Sequence, residues 1–395
     1  MKILIAVDSY KGNCSTFEVA NSIERGIRKV CKDSEIIKIP IADGGEGTVD
    51  SLVKGAGGRY ETVHVKDPLG REIECRYGIL KDNAAIIEMA ASSGLTLLRK
   101  EERNPMVTTT YGTGQMIKAA LDKGCRKIFI GIGGSATNDG GAGMAQALGV
   151  SFKDSEGKEI GNGGGELARI RDIDISGIDP RLKDTEIIVL SDVTNPLCGP
   201  NGASSIYGSQ KGATPEMIRL LDNNLKNYAL LIKEKLGLDI MDVPGAGAAG
   251  GLGTGLIAFC NATVMPGIDV ALDINGIDRH LADTDLVITG EGRIDSQTAC
   301  GKVPVGVARR VLKYGVPVIA IVGSVGDGAS IVYEHGIDAI IDIVSKPMSL
   351  EDSMKNVKIL LEQAAENAMR MLIIGSALQG RFRNRNNNDN KMRNP

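Results

Sequence analysis

Carboxylates, glycines and a few cations recur together along this chain, most of them just past a short apolar run. In order the groups read VDSYKG, IADGGEGT, GIGGSATNDGG, SDVTNPLCG, PGAGAAGG, TGEGRID and VGSVGDG. A short apolar run feeding a Gly-rich turn is the pattern of a parallel strand ending in a loop, and open α/β sheets bind ligands at that carboxyl end. Glycine lets backbone N–H groups approach and cradle phosphate oxygens. The interleaved acids Asp8, Asp43, Glu46, Asp139, Asp192, Glu291 and Asp295 repel phosphate unless a cation sits between. Glycine, carboxylate and scattered Lys and Arg together point to Mg2+-nucleotide chemistry, most simply that of a kinase.

The loops carry different groups. GGSATND offers Gly133, Gly134, Ser135, Thr137 and Asn138 ahead of a helix, where N–H groups favour phosphate or carboxylate. A plain tight turn would not need so many hydrogen-bonding side chains. IADGGEGT sets Asp43, Gly44, Gly45 and Glu46 before Thr48, which either caps the next helix or touches ligand. TGEGRID brings Glu291, Arg293 and Asp295 together directly after an apolar strand. Lys11, just past the first strand, reads either as a surface lysine or as a phosphate clamp. Asp192 follows the strand ending at Leu190 and precedes Asn195; it reads as general base on an acceptor hydroxyl or as a Mg2+ ligand. Asp139 and Asp295 are the candidate Mg2+ ligands, and Gly247 in PGAGAAGG is a candidate phosphate contact.

Several chemistries are excluded or demoted. No G-x-x-x-x-G-K-[ST] occurs; Lys302 follows Gly301, but Val303 comes next, so a P-loop is not expected. The dinucleotide fingerprint is matched by Gly131, Gly133 and Ala136, and again by Gly245, Gly247 and Gly250 with Asp269 downstream. A NAD-dependent dehydrogenase is therefore the rival from another class. His64, His280 and His335 have no metal spacing, so acid–base work falls to carboxylates or Lys. A net charge of -3, 3% aromatics and no Trp argue against a nucleic-acid partner. The 7 cysteines contain no C-x-x-C pair, which suits reduced thiols in the cytoplasm. No apolar run reaches membrane-spanning length, and MKILIAVDSY reads as a first strand and not as a signal peptide.

These loops need strands and helices to hold them. Strands are expected over Lys2–Val7, Ile36–Ile41, Lys127–Gly131, Glu186–Leu190, Leu286–Thr289, Pro317–Val322 and Ala339–Val344, with shorter, partly antiparallel ones between Tyr60 and Met89. Ser15 and Glu18 form a capping box for a first helix. Thr214, Pro215 and Gly237 bracket a long one, and Leu350–Ile374 reads as a closing helix. The two ends look regularly wound and the centre mixed. The expected fold is α/β: a Rossmann-like parallel-sheet domain formed by residues 1–60 and 280–380, with a second mixed α/β domain (61–279) inserted. Residues 381–395, RFRNRNNNDNKMRNP, read as a disordered, solvated tail.

The motifs DSYKG, IADGGEGT, GGSATNDGGAGM, SDVTNPLCGPNGA, VPGAGAAGGLG and DLVITGEGRIDSQTACGKVPVGVA, in that order, resemble the bacterial type I glycerate kinase family across residues 1–380. Val7 stands where that family is expected to carry proline, and Gly-Asn-Cys follows Lys11 in place of a Glu-Ser-Leu-like run. The resemblance implies ATP-dependent phosphorylation of D-glycerate, with Mg2+, at an active site between two α/β domains, and it leans to the hydroxyl at position two. Glycerate carries a carboxylate, for which Arg293, Lys11 or the GGSATN loop would supply the cationic or N–H-rich pocket.

Overall fold

A computed structural model describes residues 1–42, 44–45 and 47–392, without the side chains of Cys300 and of 380–392. The strands are β1 (Lys2–Val7), β2 (Glu35–Pro40), β3 (Arg59–Lys66), β4 (Glu72–Ile79), β5 (Ala85–Glu88), β6 (Lys127–Gly131), β7 (Ser151–Lys153), β8 (Asp172–Asp174), β9 (Glu186–Leu190), β10 (Thr263–Met265), β11 (Leu286–Gly290), β12 (Val318–Val322) and β13 (Ala339–Asp342). They fall into two compact units. Met1–Ile41 joins the chain from Gly276 onward, and Ala42–Asn275 forms the other.

The first unit carries the sheet β13-β12-β11-β1-β2, parallel throughout. Strands β1, β11 and β12 are apolar almost end to end and buried along their length, as a parallel sheet covered on both faces requires. From β1 the order runs to β2 on one side and through β11, β12 and β13 on the other. The order thus reverses at the β1/β11 pair. The crevice beyond the carboxyl ends of those strands is where such a sheet takes ligand.

Helix Thr16–Val30 opens with the Ser15–Glu18 capping box: the Glu18 N–H donates to Ser15 Oγ at 3.4 Å, and the Ser15 N–H to Glu18 Oε2 at 3.0 Å. Its apolar stripe, Val19, Ala20, Ile23 and Ile27, is buried. It packs on helix Val357–Met392. The expected closing helix Leu350–Ile374 is two helices, Leu350–Lys355 and Val357–Met392. They separate at Asn356, whose Nδ2 donates to the Asp352 carbonyl at 2.8 Å, a side chain competing for a helical acceptor. The longer helix continues through Arg381, where a disordered tail was expected; once a packed segment has nucleated it, each further residue costs little. Residues 393–395 lie outside the described chain.

The second unit holds the sheet β10-β9-β6-β5-β4-β3, parallel from β10 to β5 and antiparallel from β5 to β3. A β7/β8 hairpin stands apart from it. The chain enters this unit at residue 42 and not at 60, because helix Thr48–Ala56 belongs here: the Val49 N–H donates to Glu88 Oε1 at 2.7 Å. Strand β6 pairs with β5 and β9. The hairpin, β10 and helix Gly267–Ile274 are too short for their periodicity to be read.

Helices Thr16–Val30 and Val357–Met392 meet at Gly26, where an added Cβ would lie 2.2 Å from the Glu362 carbonyl oxygen and 2.8 Å from the Ala365 Cβ. Gly26→Ala must push these helices away from each other, so we expect a loss of about 1–3 kcal/mol in denaturant unfolding. Wild-type stability would show that the helices do not approach this closely.

Candidate active site

The switch point of the first unit gathers ionisable groups from both ends of the chain. Asp8 is buried just past β1; its N–H donates to the Gly290 carbonyl at 2.9 Å, and its Oδ1 accepts from the Ser9 N–H at 2.6 Å. Glu291, just past β11, is 7% exposed and accepts from Thr298 Oγ1 at 2.8 Å. Burial pushes its carboxyl up to about 7, against the pull of the Thr298 hydroxyl, Lys302 and Lys11 and with the help of the Asp295 charge. Lys11 is exposed in a turn closed by the Tyr10 N–H to the Cys14 carbonyl at 2.8 Å. The Tyr10 hydroxyl pins that turn to the Ile321 carbonyl at 3.1 Å.

Asp295 caps the 3-10 turn Ser296–Cys300, accepting from the Gln297 N–H at 3.0 Å. Arg293 Nε donates to its Oδ2 at 3.2 Å, and Lys302 Nζ lies 3.8 Å from Oδ1. The Arg293 side chain is 65% exposed. Four expected residues, Lys11, Glu291, Arg293 and Asp295, therefore share one neighbourhood. Asp8, Thr298 and Lys302 join them, although sequence reasoning gave them no role. Thr298 and Lys302 belong to the DSQTACGK run directly after TGEGRID, and that adjacency was the available signal.

In the second unit, backbone packing governs the Gly-rich loops. Gly44 and Gly45 cross the ends of β6 and β9: a Cβ on Gly44 would lie 2.9 Å from the Leu190 carbonyl oxygen, and one on Gly133 would lie 3.0 Å from the Gly45 Cα. Thr48 Oγ1 donates to the Gly45 carbonyl at 2.7 Å, so its hydroxyl closes the turn. Asp43 and Glu46 lie outside the described residues. Along GGSATND only Gly133 and Gly134 are exposed; Ser135, Thr137 and Asn138 are buried. Asn138 Nδ2 donates to Ser204 Oγ at 2.9 Å. Thr137 Oγ1 and Asn138 Oδ1 have no hydrogen-bond partner among the described residues.

Three expectations change here. Asp139 is buried and accepts from the Thr110 N–H (2.8 Å), Thr110 Oγ1 (2.9 Å), and the Gly141 (3.2 Å) and Gly143 (3.3 Å) N–H groups. Burial pushes its carboxyl up, and those donors pull it back down. Such a full donor set makes it the organiser of its loop and not a Mg2+ ligand. Asn195 spends both ends of its amide inside the protein: Nδ2 donates to the Asn201 carbonyl at 2.8 Å, and Oδ1 accepts from the Tyr207 hydroxyl at 2.9 Å. Gly247 is required sterically, since a Cβ there would lie 2.1 Å from the Pro196 carbonyl oxygen. Asp192 is half-buried, and its Oδ1 accepts from the Gly267 N–H at 3.0 Å, in the first turn of helix Gly267–Ile274.

The raised carboxyl of Glu291 has a measurable signature. A carboxyl raised on folding lends stability below its ordinary value and loses it as pH climbs towards 7. Glu291→Gln removes that loss. We expect the variant to match wild type in thermal unfolding at pH 5 and to exceed it at pH 8, by on the order of 3 kcal/mol at most. A stability difference that does not change with pH would mean that Glu291 is not desolvated.

The model of the glycerate kinase family matches residues 3–373. The chain is 51% identical over 366 residues to a glycerate kinase of Halalkalibacterium halodurans, covering 92% of this chain and 96% of that protein. It is 50% identical over 376 residues to the glycerate 2-kinase of Escherichia coli K12, covering 95% and 99%. It is also similar to a crystal structure of a candidate glycerate kinase 2 from Salmonella typhimurium LT2, with a TM-score of 0.86 and 49% identity over 95% of this chain and 99% of that one. These matches set the dehydrogenase alternative aside. The geometry agrees: after Gly131, Gly133 and Ala136 the helix begins only at Ala142, and no strand runs into Gly245, whereas a dinucleotide fingerprint opens a helix directly after its strand. Motif order, fold and overall likeness thus agree, and the chain belongs to the glycerate kinase family.

Proposed function

We propose that this chain transfers the γ-phosphoryl group of ATP to the C2 hydroxyl of D-glycerate, giving 2-phosphoglycerate and ADP in the cytoplasm. The observation that carries the reading is the cluster at the β1/β11 switch point, where Lys11, Arg293 and Lys302 stand among Asp8, Glu291 and Asp295. Phosphoryl transfer asks for positioning and charge neutralisation more than for covalent chemistry, and mixed cations and carboxylates at a sheet's carboxyl edge supply both. The likeness to a protein named glycerate 2-kinase favours the C2 hydroxyl.

Mg2+, when bound, neutralises phosphate charge and needs only one or two carboxylates beside water and phosphate oxygens. Asp295 would hold it. A carboxylate accepts at about four sites; Asp295 accepts from the Gln297 N–H and, in its capping box, from the Thr298 N–H, and it pairs with Arg293 and Lys302. Among the described residues, no group of three or more His, Cys, Asp or Glu is arranged to hold a metal. Lys11 neutralises charge on the moving phosphoryl group. Arg293 pairs with the glycerate carboxylate, its guanidinium matching that group's geometry. The exposed N–H groups of Gly133 and Gly134 and the Gly44–Gly45 turn cradle ligand oxygens. Asp192 takes the hydroxyl proton as the glycerate oxygen bonds to the γ-phosphorus and the bond to ADP breaks. Glu291, with Thr298 behind it, orients the acceptor.

ADP release across a panel of hydroxy acids, with 31P NMR of the product, tests the reading directly. We expect turnover that needs ATP and a divalent cation and is best with D-glycerate. Better turnover of an unrelated sugar, or reduction of NAD+, would reject it. Asp192→Asn should lower kcat by roughly 100-fold or more in a folded enzyme; near-normal kcat removes it from the chemistry. Lys11→Ala should act mainly on kcat and Arg293→Ala mainly on the KM for glycerate. The opposite pattern would exchange their roles, and wild-type kinetics in both would make them surface charges.

A further inference from the structure

Residues 201–211 are not among the loops assigned to ligand, yet they fasten two of those loops. The Tyr207 hydroxyl donates to Asn195 Oδ1 at 2.9 Å, and the Asn201 carbonyl accepts from Asn195 Nδ2 at 2.8 Å. This holds SDVTNP, the loop of Asp192. Ser204 Oγ accepts from Asn138 Nδ2 at 2.9 Å, and Lys211 Nζ donates to the Thr137 carbonyl at 2.7 Å. This holds GGSATND, the loop of Gly133 and Gly134. One short stretch, helix Ala203–Tyr207 followed by the 3-10 turn Ser209–Lys211, therefore sets the spacing of both.

Lys211 is the unusual member. It is 1% exposed, and burial pulls its amino group down to about 7, against the opposing pull of the Asp139 charge. Burying an ammonium is costly without a partner, so lysines are almost never fully buried unless paired. Here the direct partner is a backbone carbonyl, the same one that Gly250 approaches so closely that a Cβ would lie 2.0 Å away. Gly250 sits at φ 70, in the left-handed region, so the backbone on that side of Thr137 is fixed by sterics. The lysine holds the other side. We propose that Lys211 is a positioning residue for phosphoryl transfer, its Nζ locking the Thr137 carbonyl so that the Gly133–Gly134 apex keeps its spacing from Asp192.

The proposal rests on the reading that these two loops hold reactants, and its test separates the two. Lys211→Met keeps the stem volume and removes the donor. A buried carbonyl that loses its donor costs stability, so a purely structural lysine would lower Tm and leave the folded enzyme's kinetics unchanged. We expect Lys211→Met in the full chain to lower kcat by ~10-fold or more at temperatures well below its Tm, as small misplacements far from the chemistry do. Amide hydrogen exchange in residues 133–141 and 191–197 should speed up ~10-fold as those loops open more often. Wild-type kcat, or unchanged exchange in both segments, overturns the proposal. If the wild-type protein does not phosphorylate D-glycerate, the functional reading fails, while the exchange result still decides the clamp. Should Lys211→Met not fold, Tyr207→Phe cuts the other joint: faster exchange in residues 191–197 supports the clamp, and unchanged exchange rejects it.

Discussion

Four loops around the carboxyl ends of β6 and β9 cross one another about as closely as a Cβ permits or closer, and most of the candidate site in the second unit follows from that constraint. Gly44 lies against Leu190, Gly133 against Gly45, Gly247 against Pro196 and Gly250 against Thr137. Backbone in such contact must satisfy its polar groups locally, since a buried unpaired carbonyl or N–H is expensive. That is why Asp139, Asn138 and Asn195 turn inward and serve neighbouring strands of loop. What remains outward is largely main chain, at Gly133 and Gly134. Exposed glycine backbone has no side-chain entropy to lose on binding a ligand.

The first unit solves a different problem. Its switch-point cluster is built of charged side chains, and their environments separate their roles. Glu291 is desolvated, with a carboxyl pushed up to about 7. Asp295, a few residues on, lies among Arg293, Lys302 and the N-terminus of a 3-10 turn. A carboxyl poised near neutrality among charged neighbours is the kind of perturbation that clusters at working sites. One turn ties the two acids together: the Thr298 hydroxyl donates to Glu291 while it accepts from the Asp295 N–H at 3.1 Å.

Much of this was legible in the residues. Apolar runs ending in Gly-rich turns identified the strands, the Ser15–Glu18 pair marked a helix start, and TGEGRID declared itself by its density of charge. The exceptions share a cause. A Gly-rich turn looks the same whether the glycine admits a ligand or another stretch of backbone, so Gly247 read as a phosphate contact when Pro196 fills that space. An Asp or Asn in such a turn looks the same whether it faces outward or is consumed within, as at Asp139 and Asn195. Lys211 carried no signal, because its partner is a carbonyl distant in sequence and its local run, SQKG, reads as a surface turn.

The interior strand β1 of the first sheet is the first one made, and its neighbour β11, the central strand, is among the last. β1 pairs with β2 within the opening residues, but Ile3–Val7 must wait for Leu286–Gly290 to cover the other edge. During synthesis the chain therefore carries an apolar strand with an open edge while the whole of Ala42–Asn275 emerges. That stretch has its own core and can collapse first, so the order of assembly runs from the inside of the sequence outward. Such distant pairing slows folding, and an open apolar strand invites association with other chains. The arrangement that brings Lys11 and Arg293 into one neighbourhood leaves β1 with one edge uncovered until β11 has been made.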